Sequence, residues 1–211
     1  PNSDWAHVSL VKFHLNNNDG ENASKSMFKV LDNNRMDLKI KHRVFNEFLI
    51  FAIKNPTFFN DVDTAIPYFD NDREIAVAKE VAKFFWTKKD YDRAIYYFQK
   101  TIKKNNEDIE SMGFYLNVLI LKGDYETAIQ KANSFIELFP TQPNFYFYAG
   151  FGYNQMKNFK KAKEYLENGL DFVVDNKSME KDFYSQLIIS CENLNDNAKK
   201  QLYSNKLKQT K

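Results

Sequence analysis

The hydrophobic positions of this chain recur with the spacing of α-helices, and polar turn residues separate the helical stretches. From Glu107 to Leu121 the apolar residues mark one helical face: Ile109, Met112, Tyr115, Leu116, Leu119 and Ile120. Gly123 and Asp124 interrupt this pattern, and a second helical stretch runs from Tyr125 to Leu138. Glycine can close a helix and aspartate can cap the next one, so we predict two helices joined by a tight turn.

The sequence around this turn occurs three times at a fixed spacing. Asp90-Tyr91-Asp92-Arg93-Ala94-Ile95 is followed 34 residues later by Asp124-Tyr125-Glu126-Thr127-Ala128-Ile129 and, after another 34, by Asn158-Phe159-Lys160-Lys161-Ala162-Lys163. A period of about 34 residues is typical of helix–turn–helix solenoid repeats. The chain has only 5 Pro and 6 Gly, which favours helices over folds that need many tight turns.

At these positions the chain resembles the tetratricopeptide repeat (TPR) family. The matching residues are Tyr146, Ala149, Gly150, Tyr153, Ala162 and Leu166 in one unit, and Ala78, Val81, Ala82, Phe85, Ala94 and Phe98 in another. The unit between them matches less well because Leu116 replaces a small residue. The resemblance implies an all-α fold, a right-handed superhelical solenoid of about six antiparallel helix pairs. The chain also loosely resembles uncharacterised envelope TPR lipoproteins of the Bacteroidetes.

The repeat register predicts four segments. Residues 1–35 form an N-terminal pair, and residues 36–70 form a degenerate pair, with a long helix from Leu38 to Lys54 and a short one disturbed by Pro67. Residues 71–176 hold three clear units, the first with a possible capping box of Asn71 and Glu74 and a buried stripe that begins at Ile75. Residues 177–211 form a C-terminal pair or cap. Because the chain begins at Pro1, we expect a piece of a longer protein.

The overall composition argues against several classes of function. With 30 basic and 28 acidic residues, the net charge of +2 gives no general case for binding nucleic acid or an anionic membrane. No apolar run approaches the ~20 residues of a membrane span. The chain lacks a phosphate-binding glycine loop, a paired-cysteine metal site and a nucleophile elbow. We therefore expect no enzyme, no cofactor and no metal.

Individual polar residues have structural explanations that we prefer to chemical ones. Cys191 follows an apolar run and is expected to be buried rather than reactive. His7 and His14 could share a helical face, but without a further ligand we expect structural or surface roles. His42 lies in a charged stretch and is expected to be solvated. The repeated Asp90 and Asp124 are expected to cap helices rather than to act as acid or base.

The TPR resemblance also implies a binding surface, because the first helices of successive TPR units line a concave groove. By register, the partner-binding positions are Lys79, Lys83, Trp86, Phe114, Asn117, Phe147, Tyr148, Phe151 and Asn154. The carboxylate clamp of chaperone-binding TPR domains is not expected, because Lys83, Phe114, Asn144 and Tyr148 depart from it. Asparagines can pair with a peptide backbone, and aromatics can anchor it. Trp86 and Phe147 are the rings that we expect to be most exposed; alternatively, such rings pack between repeats.

The resulting hypothesis is a non-catalytic protein–protein interaction module, a scaffold or adaptor segment of a larger protein that binds a partner peptide or protein of unknown identity. The alternative is a regulatory, peptide-sensing segment of a bacterial signalling protein. The last helix carries five lysines that either form a solvated cap or bind an acidic partner: Lys199, Lys200, Lys206, Lys208 and Lys211. The loose resemblance points to the bacterial envelope or periplasm, and the other possible compartment is the cytoplasm.

Overall fold

The computed structural model describes residues 4–72 and 76–210, and all regular secondary structure within those ranges is helical. Its α-helices are α1 Asp4–Asn16, α2 Gly20–Asp32, α3 Leu38–Lys54, α4 Phe59–Ala65, α5 Val77–Thr87, α6 Tyr91–Lys104, α7 Ile109–Lys122, α8 Tyr125–Leu138, α9 Pro143–Gln155, α10 Phe159–Leu170, α11 Lys177–Asn193 and α12 Asn197–Gln209. The chain divides into two compact units, Pro1–Val77 and Ala78–Lys211. Glu74, the partner of Asn71 in the predicted capping box, lies outside the described residues, as do Ile75 and Lys211.

Unit 1 contains two helix pairs, of which the second is irregular. Helices α1 and α2 pack against each other, and α3 packs on both α2 and α4. The second partner of α3 is broken into a 3₁₀ turn at Pro56–Phe58, the short helix α4, and a 3₁₀ turn at Ile66–Phe69. Proline has no backbone N–H and cannot continue the α-helical ladder, which explains why α4 ends where Pro67 follows. Aromatic and aliphatic side chains fill the core: Val30, Val44, Phe45, Phe48 and Val62.

Unit 2 contains four helix pairs, α5–α6, α7–α8, α9–α10 and α11–α12. Each helix pair contributes at least one large apolar side chain to the buried core. These side chains include Phe85, Phe98, Leu116, Phe145, Leu166 and Phe183. The two helices of a pair approach closely because small residues face each other. A Cβ atom on Gly150 of α9 would lie 2.5 Å from the Leu166 side chain and 3.2 Å from the carbonyl oxygen of Ala162, both on α10. Ala94, Ala128 and Ala162 are fully buried at the equivalent positions.

One turn geometry joins the helices of five of the six pairs. In each of these pairs, the residue that precedes the N-cap of the second helix adopts the left-handed backbone conformation. These residues are Asn18 (φ 56°), Lys89 (60°), Gly123 (83°), Lys157 (60°) and Asn195 (56°). This conformation normally costs a non-glycine residue roughly 1–2 kcal/mol. Its recurrence therefore shows that the turn is held by other interactions.

Those interactions come from the Asp or Asn that follows the left-handed residue. Its backbone N–H donates to a carbonyl five residues earlier at 2.8–3.0 Å, which closes the first helix. Its side chain accepts the N–H three residues later at 3.1–3.3 Å, which caps the second helix. The residues are Asp19, Asp90, Asp124, Asn158 and Asp196. The predicted capping roles of Asp90 and Asp124 are confirmed.

The expectation that His42 is solvated is wrong. Its Nε2 lies 2.7 Å from Asp72 Oδ2, and the two side chains are only 16% and 4% exposed. The His42 ring also lies 4.5 Å from the ring of Phe69. Successive helical residues point in different directions, so His42 can face the chain at Phe69–Asp72 although its neighbour Arg43 faces solvent. The charged sequence context was therefore a poor guide to its burial.

We predict that Ala128→Leu destabilises the protein by about 1–3 kcal/mol, because three further carbon atoms must enter the fully buried site of Ala128 on α8. Gln130→Leu is the matched control, since Gln130 is exposed on the same helix. Urea unfolding followed by circular dichroism measures both. Equal midpoints for the two variants would contradict the packing described for Ala128.

Two glycines, Gly113 inside α7 and Gly123 at its C-terminal end, should show opposite changes in stability when replaced by alanine. Gly123→Ala should cost about 1 kcal/mol, because alanine resists the left-handed conformation. Gly113→Ala should stabilise by about 0.5–1 kcal/mol, because Gly113 is inside the helix and a Cβ there meets nothing within 4 Å. Thermal unfolding of both variants tests this, and a shift of the same sign in both would refute it.

Candidate functional site

The predicted binding positions lie on α5, α7 and α9, which together with α11 are the first helices of the four pairs of unit 2. We call the surface that these helices share the first-helix surface. Residues 34 positions apart occupy equivalent places on it, as in the series Glu80, Phe114, Tyr148 and Asp182. Ring contacts or backbone proximity link each of these helices to the next. The predicted residues are therefore neighbours in space, although they are spread over the sequence.

The lysines at the α5 end of this surface are neutralised within the protein. Lys79 Nζ lies 3.0 Å from Asp108 Oδ1 and 2.6 Å from Glu110 Oε2, and Lys83 Nζ lies 2.9 Å from Glu110 Oε1. Burial alone would lower the pKa of Lys79, but its hydrogen bonds with Glu110 and Asp108 outweigh that effect and raise the pKa. Hydrogen bonds from Lys79 and then Lys83 lower the pKa of Glu110. Neither lysine is free to serve as a simple anion receptor.

Aromatic rings connect α5 to α7. The rings of Trp86 and Phe114 lie 5.1 Å apart, and Phe114 stacks on Phe98 of α6 at 5.6 Å. The ammonium of Lys83 lies 5.3 Å from the centre of the Phe114 ring, within the range of a cation–π contact. Trp86 and Phe114 are half-buried. They pack between successive pairs and still keep part of their surface accessible.

A second aromatic group covers α9. The Phe147 ring lies 5.5 Å from Tyr148, 6.2 Å from Phe151 and 5.4 Å from Phe183 of α11. All three α9 rings are half-buried, whereas Phe183 belongs to the core. Trp86 and Phe147, which were expected to be the most exposed rings, are half-buried like Phe114, Tyr148 and Phe151. Each ring is partly exposed, and Phe147 also packs on the next helix pair through Phe183.

Polar groups at the centre of the surface are incompletely satisfied. The Asn117 Oδ1 atom of α7 is buried and has no hydrogen-bond partner among the described residues. Burial raises the pKa of Tyr148 on α9, while a hydrogen bond from Asn117 opposes this rise and the charge of Asp182 adds to it. Partial burial raises the pKa of Asp182 on α11, and no ion pair to Asp182 is found within residues 4–72 and 76–210. Sequence analysis selected Asn117 and Tyr148 but did not include Asp182 among its principal residues.

Asn154 lies on α9 as predicted, but it is only 5% exposed and its amide is used inside the protein. Its Nδ2 donates to the backbone oxygen of Gln186 at 3.0 Å and to Gln186 Oε1 at 3.1 Å, and its Oδ1 accepts from Ser190 at 2.7 Å. The network ties α9 to α11. The sequence contained an indication that Asn154 is buried, because the positions at successive 34-residue spacings from it carry the apolar residues Trp86, Ile120 and Ile188.

Other potentially reactive groups serve the packing. Cys191 is fully buried, as predicted, and burial raises the pKa of its thiol. Within the two described ranges, no three histidine, cysteine or carboxylate side chains are grouped so that they could hold a metal ion. No helix in the same ranges has both the length and the apolar character needed to cross a membrane.

Antiparallel helix pairs that repeat every 34 residues define a helical-repeat solenoid, and solved structures specify its type. The chain matches the C-terminal part of a TPR repeat-containing protein from Cytophaga hutchinsonii (TM-score 0.56, 17% identity, 96% of this chain and 78% of that one). It also matches a tetratricopeptide repeat protein from Parabacteroides merdae (TM-score 0.55, 9% identity, 100% of this chain and 80% of that one). A third match is PilF of Pseudomonas aeruginosa (TM-score 0.54, 14% identity, 98% of this chain and 90% of that one).

The chain therefore has the TPR fold, and the predicted all-α architecture of antiparallel pairs is confirmed. No protein-family profile matches the sequence, and no curated protein sequence matches it either. The resemblance to envelope lipoproteins stays a prediction.

We predict that Glu110 contributes stability that depends on pH. Its pKa in the folded protein lies below the ordinary value of 4.5, so the stabilisation is present above about pH 4.5 and is lost as the pH falls through the lower, folded-state pKa. The difference in unfolding free energy between the wild type and Glu110→Gln should therefore shrink from neutral pH to about pH 3. Urea titrations at a series of pH values measure this difference.

Glu126→Gln is the control for this prediction. Glu126 occupies the same second position of α8 that Glu110 occupies in α7, so both carboxylates share the favourable field of a helix N-terminus. Glu126 forms no ion pair with any described residue. An equal pH dependence in both variants would attribute the effect to the helix end and not to Lys79 and Lys83.

Proposed function

We propose that this chain is a non-catalytic protein-interaction module, and that the first-helix surface of unit 2 binds an extended segment of a partner protein. The TPR fold of proteins such as PilF supports the general class, a protein-interaction scaffold. The observation that carries the proposal is the group formed by Asn117, Tyr148 and Asp182. Among the described residues, a buried carbonyl oxygen of this group lacks a donor and a carboxylate lacks a cation.

An unsatisfied buried acceptor is costly, typically about 1–3 kcal/mol. Asn117 could have been replaced by an apolar residue without that cost, so its presence supports a role in which a ligand supplies the missing donor. The backbone N–H of an extended peptide is a suitable donor, because the asparagine amide can exchange two hydrogen bonds with a peptide unit. Half-buried rings on both sides, such as Phe114 and Phe147, would supply apolar contact area.

The charges on the surface support a basic rather than an acidic partner segment. Lys79 and Lys83 are already paired with carboxylates, whereas Asp182 has no cation within the described part of the chain. A lysine or arginine side chain of the partner would form an ion pair with the exposed Asp182 carboxylate. Asn154 is excluded from the proposed contacts, because its hydrogen-bonding groups are committed to Gln186 and Ser190.

Selection from a random peptide display library tests this proposal and does not require the natural partner to be identified first. Peptides that bind the chain through this surface should be enriched in lysine or arginine, and Asp182→Asn should remove that enrichment. Calorimetric titration of a selected synthetic peptide should then show that Phe147→Ala and Asn117→Ala each weaken binding by about 1–3 kcal/mol. Circular dichroism melts of each variant establish that it is folded.

A Lys199→Ala/Lys200→Ala double variant is the control. These lysines form ion pairs with Glu167 and Glu192 on the last helix pairs, so their loss should change the salt sensitivity of binding and little else. Full affinity in the Phe147 and Asn117 variants, combined with abolished binding in the double-lysine variant, would move the site to the C-terminal pair and reject the first-helix surface.

A further inference from the structure

A groove in unit 1 has binding chemistry that differs from that of the first-helix surface. Two adjoining cavities of about 440 and 460 Å³ lie between α1 and α3. They share Lys12, Asn16 and Glu47 in their walls, so together they form one continuous depression that we call the α1–α3 groove. One helical stripe from each helix lines it.

Apolar side chains form the floor and rim of this groove. Leu15 and Phe51 are half-buried in its wall, whereas Phe13 and Ile50 on opposite helices are 59% and 56% exposed. Large apolar side chains with this exposure on facing helices leave contact area that neither helix covers. The volume of each cavity is within the range that accommodates a side chain or a small ligand.

The charges around the groove are the second observation. Lys12, Arg43 and Lys54 are exposed cations in its walls, and Glu47 is the only carboxylate among the lining residues. None of these four side chains forms an ion pair with another residue of the described ranges. This contrasts with Lys79, Lys83, Lys163 and Lys199 of unit 2, each of which has a carboxylate partner.

We propose that the α1–α3 groove is a separate docking site for an acidic, amphipathic segment of a partner protein. An aliphatic or aromatic side chain of that segment would occupy the space lined by Leu15, Ile50 and Phe51. Aspartate or glutamate residues next to it would pair with Lys12, Arg43 and Lys54, since the three cations outnumber Glu47. Charge complementarity of this kind selects the partner and accelerates its association.

The test uses a random peptide display library and four forms of the full chain: the wild type, Ile50→Asp, Lys12→Glu/Lys54→Glu and Asn117→Ala. The wild type should select, besides any basic peptides, a class that combines aspartate or glutamate with a large apolar residue. Ile50→Asp should lose this class, and the double charge reversal should replace it with basic peptides. The three substituted residues of unit 1 are exposed, so both variants should melt like the wild type.

Asn117→Ala separates this site from the first-helix surface. It should retain the acidic class even if the function proposed for unit 2 fails. Titration of a selected acidic peptide should show affinity reduced on the order of tenfold or more in Ile50→Asp, as expected for loss of one central anchor. Unchanged selection in both unit 1 variants, or no acidic class in the wild type, would overturn the proposal. Dimerisation that Ile50→Asp abolishes would also overturn it, by assigning the groove to a second copy of this chain.

Discussion

The architecture depends on one turn in which a single Asp or Asn side chain serves two helices. The residue's backbone N–H closes the helix before it, and its carboxylate or amide oxygen caps the helix after it. Because both bonds come from one residue, the two helices of a pair are held at a defined separation and direction. The preceding residue must then be left-handed, even when it is Lys89 or Lys157. Small residues such as Ala162 opposite Gly150 allow the pair to close.

The same repetition produces the first-helix surface of unit 2. When each pair is built alike, residues 34 positions apart are placed in line on successive first helices, and their side chains become neighbours. Under the proposed function, packing between pairs and partner binding would use the same positions. Phe147 is an example, since its ring packs on Phe183 of the core and is still partly exposed. At Asn154 the side-chain amide is used within the structure, whereas at Asn117 a polar atom is left unsatisfied among the described residues.

Taken separately, the two units offer different electrostatic environments to a partner. In unit 2 the first-helix lysines Lys79 and Lys83 are neutralised and Asp182 is left without a cation in the described ranges. In unit 1 three cations around the α1–α3 groove have no described ion-pair partner. Under the two proposals, the chain would hold two chemically different partner segments, as a scaffold does. This combination also explains why a net charge of +2 is uninformative: charges of opposite sign cancel in the sum although they are separated locally.

The sequence by itself determined the helices, because their signals are local. Apolar spacing, the recurring Asp or Asn at the turns, and Pro67 are all read within a few residues, and the predicted range Leu38–Lys54 agrees with α3. The alanines at period 34 likewise predicted buried positions, and at Ala162 a close approach within the pair is seen. Only the tertiary structure decided what the polar side chains away from the turns contact. His42 meets Asp72, 30 residues later, and Asn154 meets Gln186 and Ser190 on another pair. Burial and hydrogen bonding depend on groups that folding brings together across long separations, so the composition of the surrounding sequence cannot specify them.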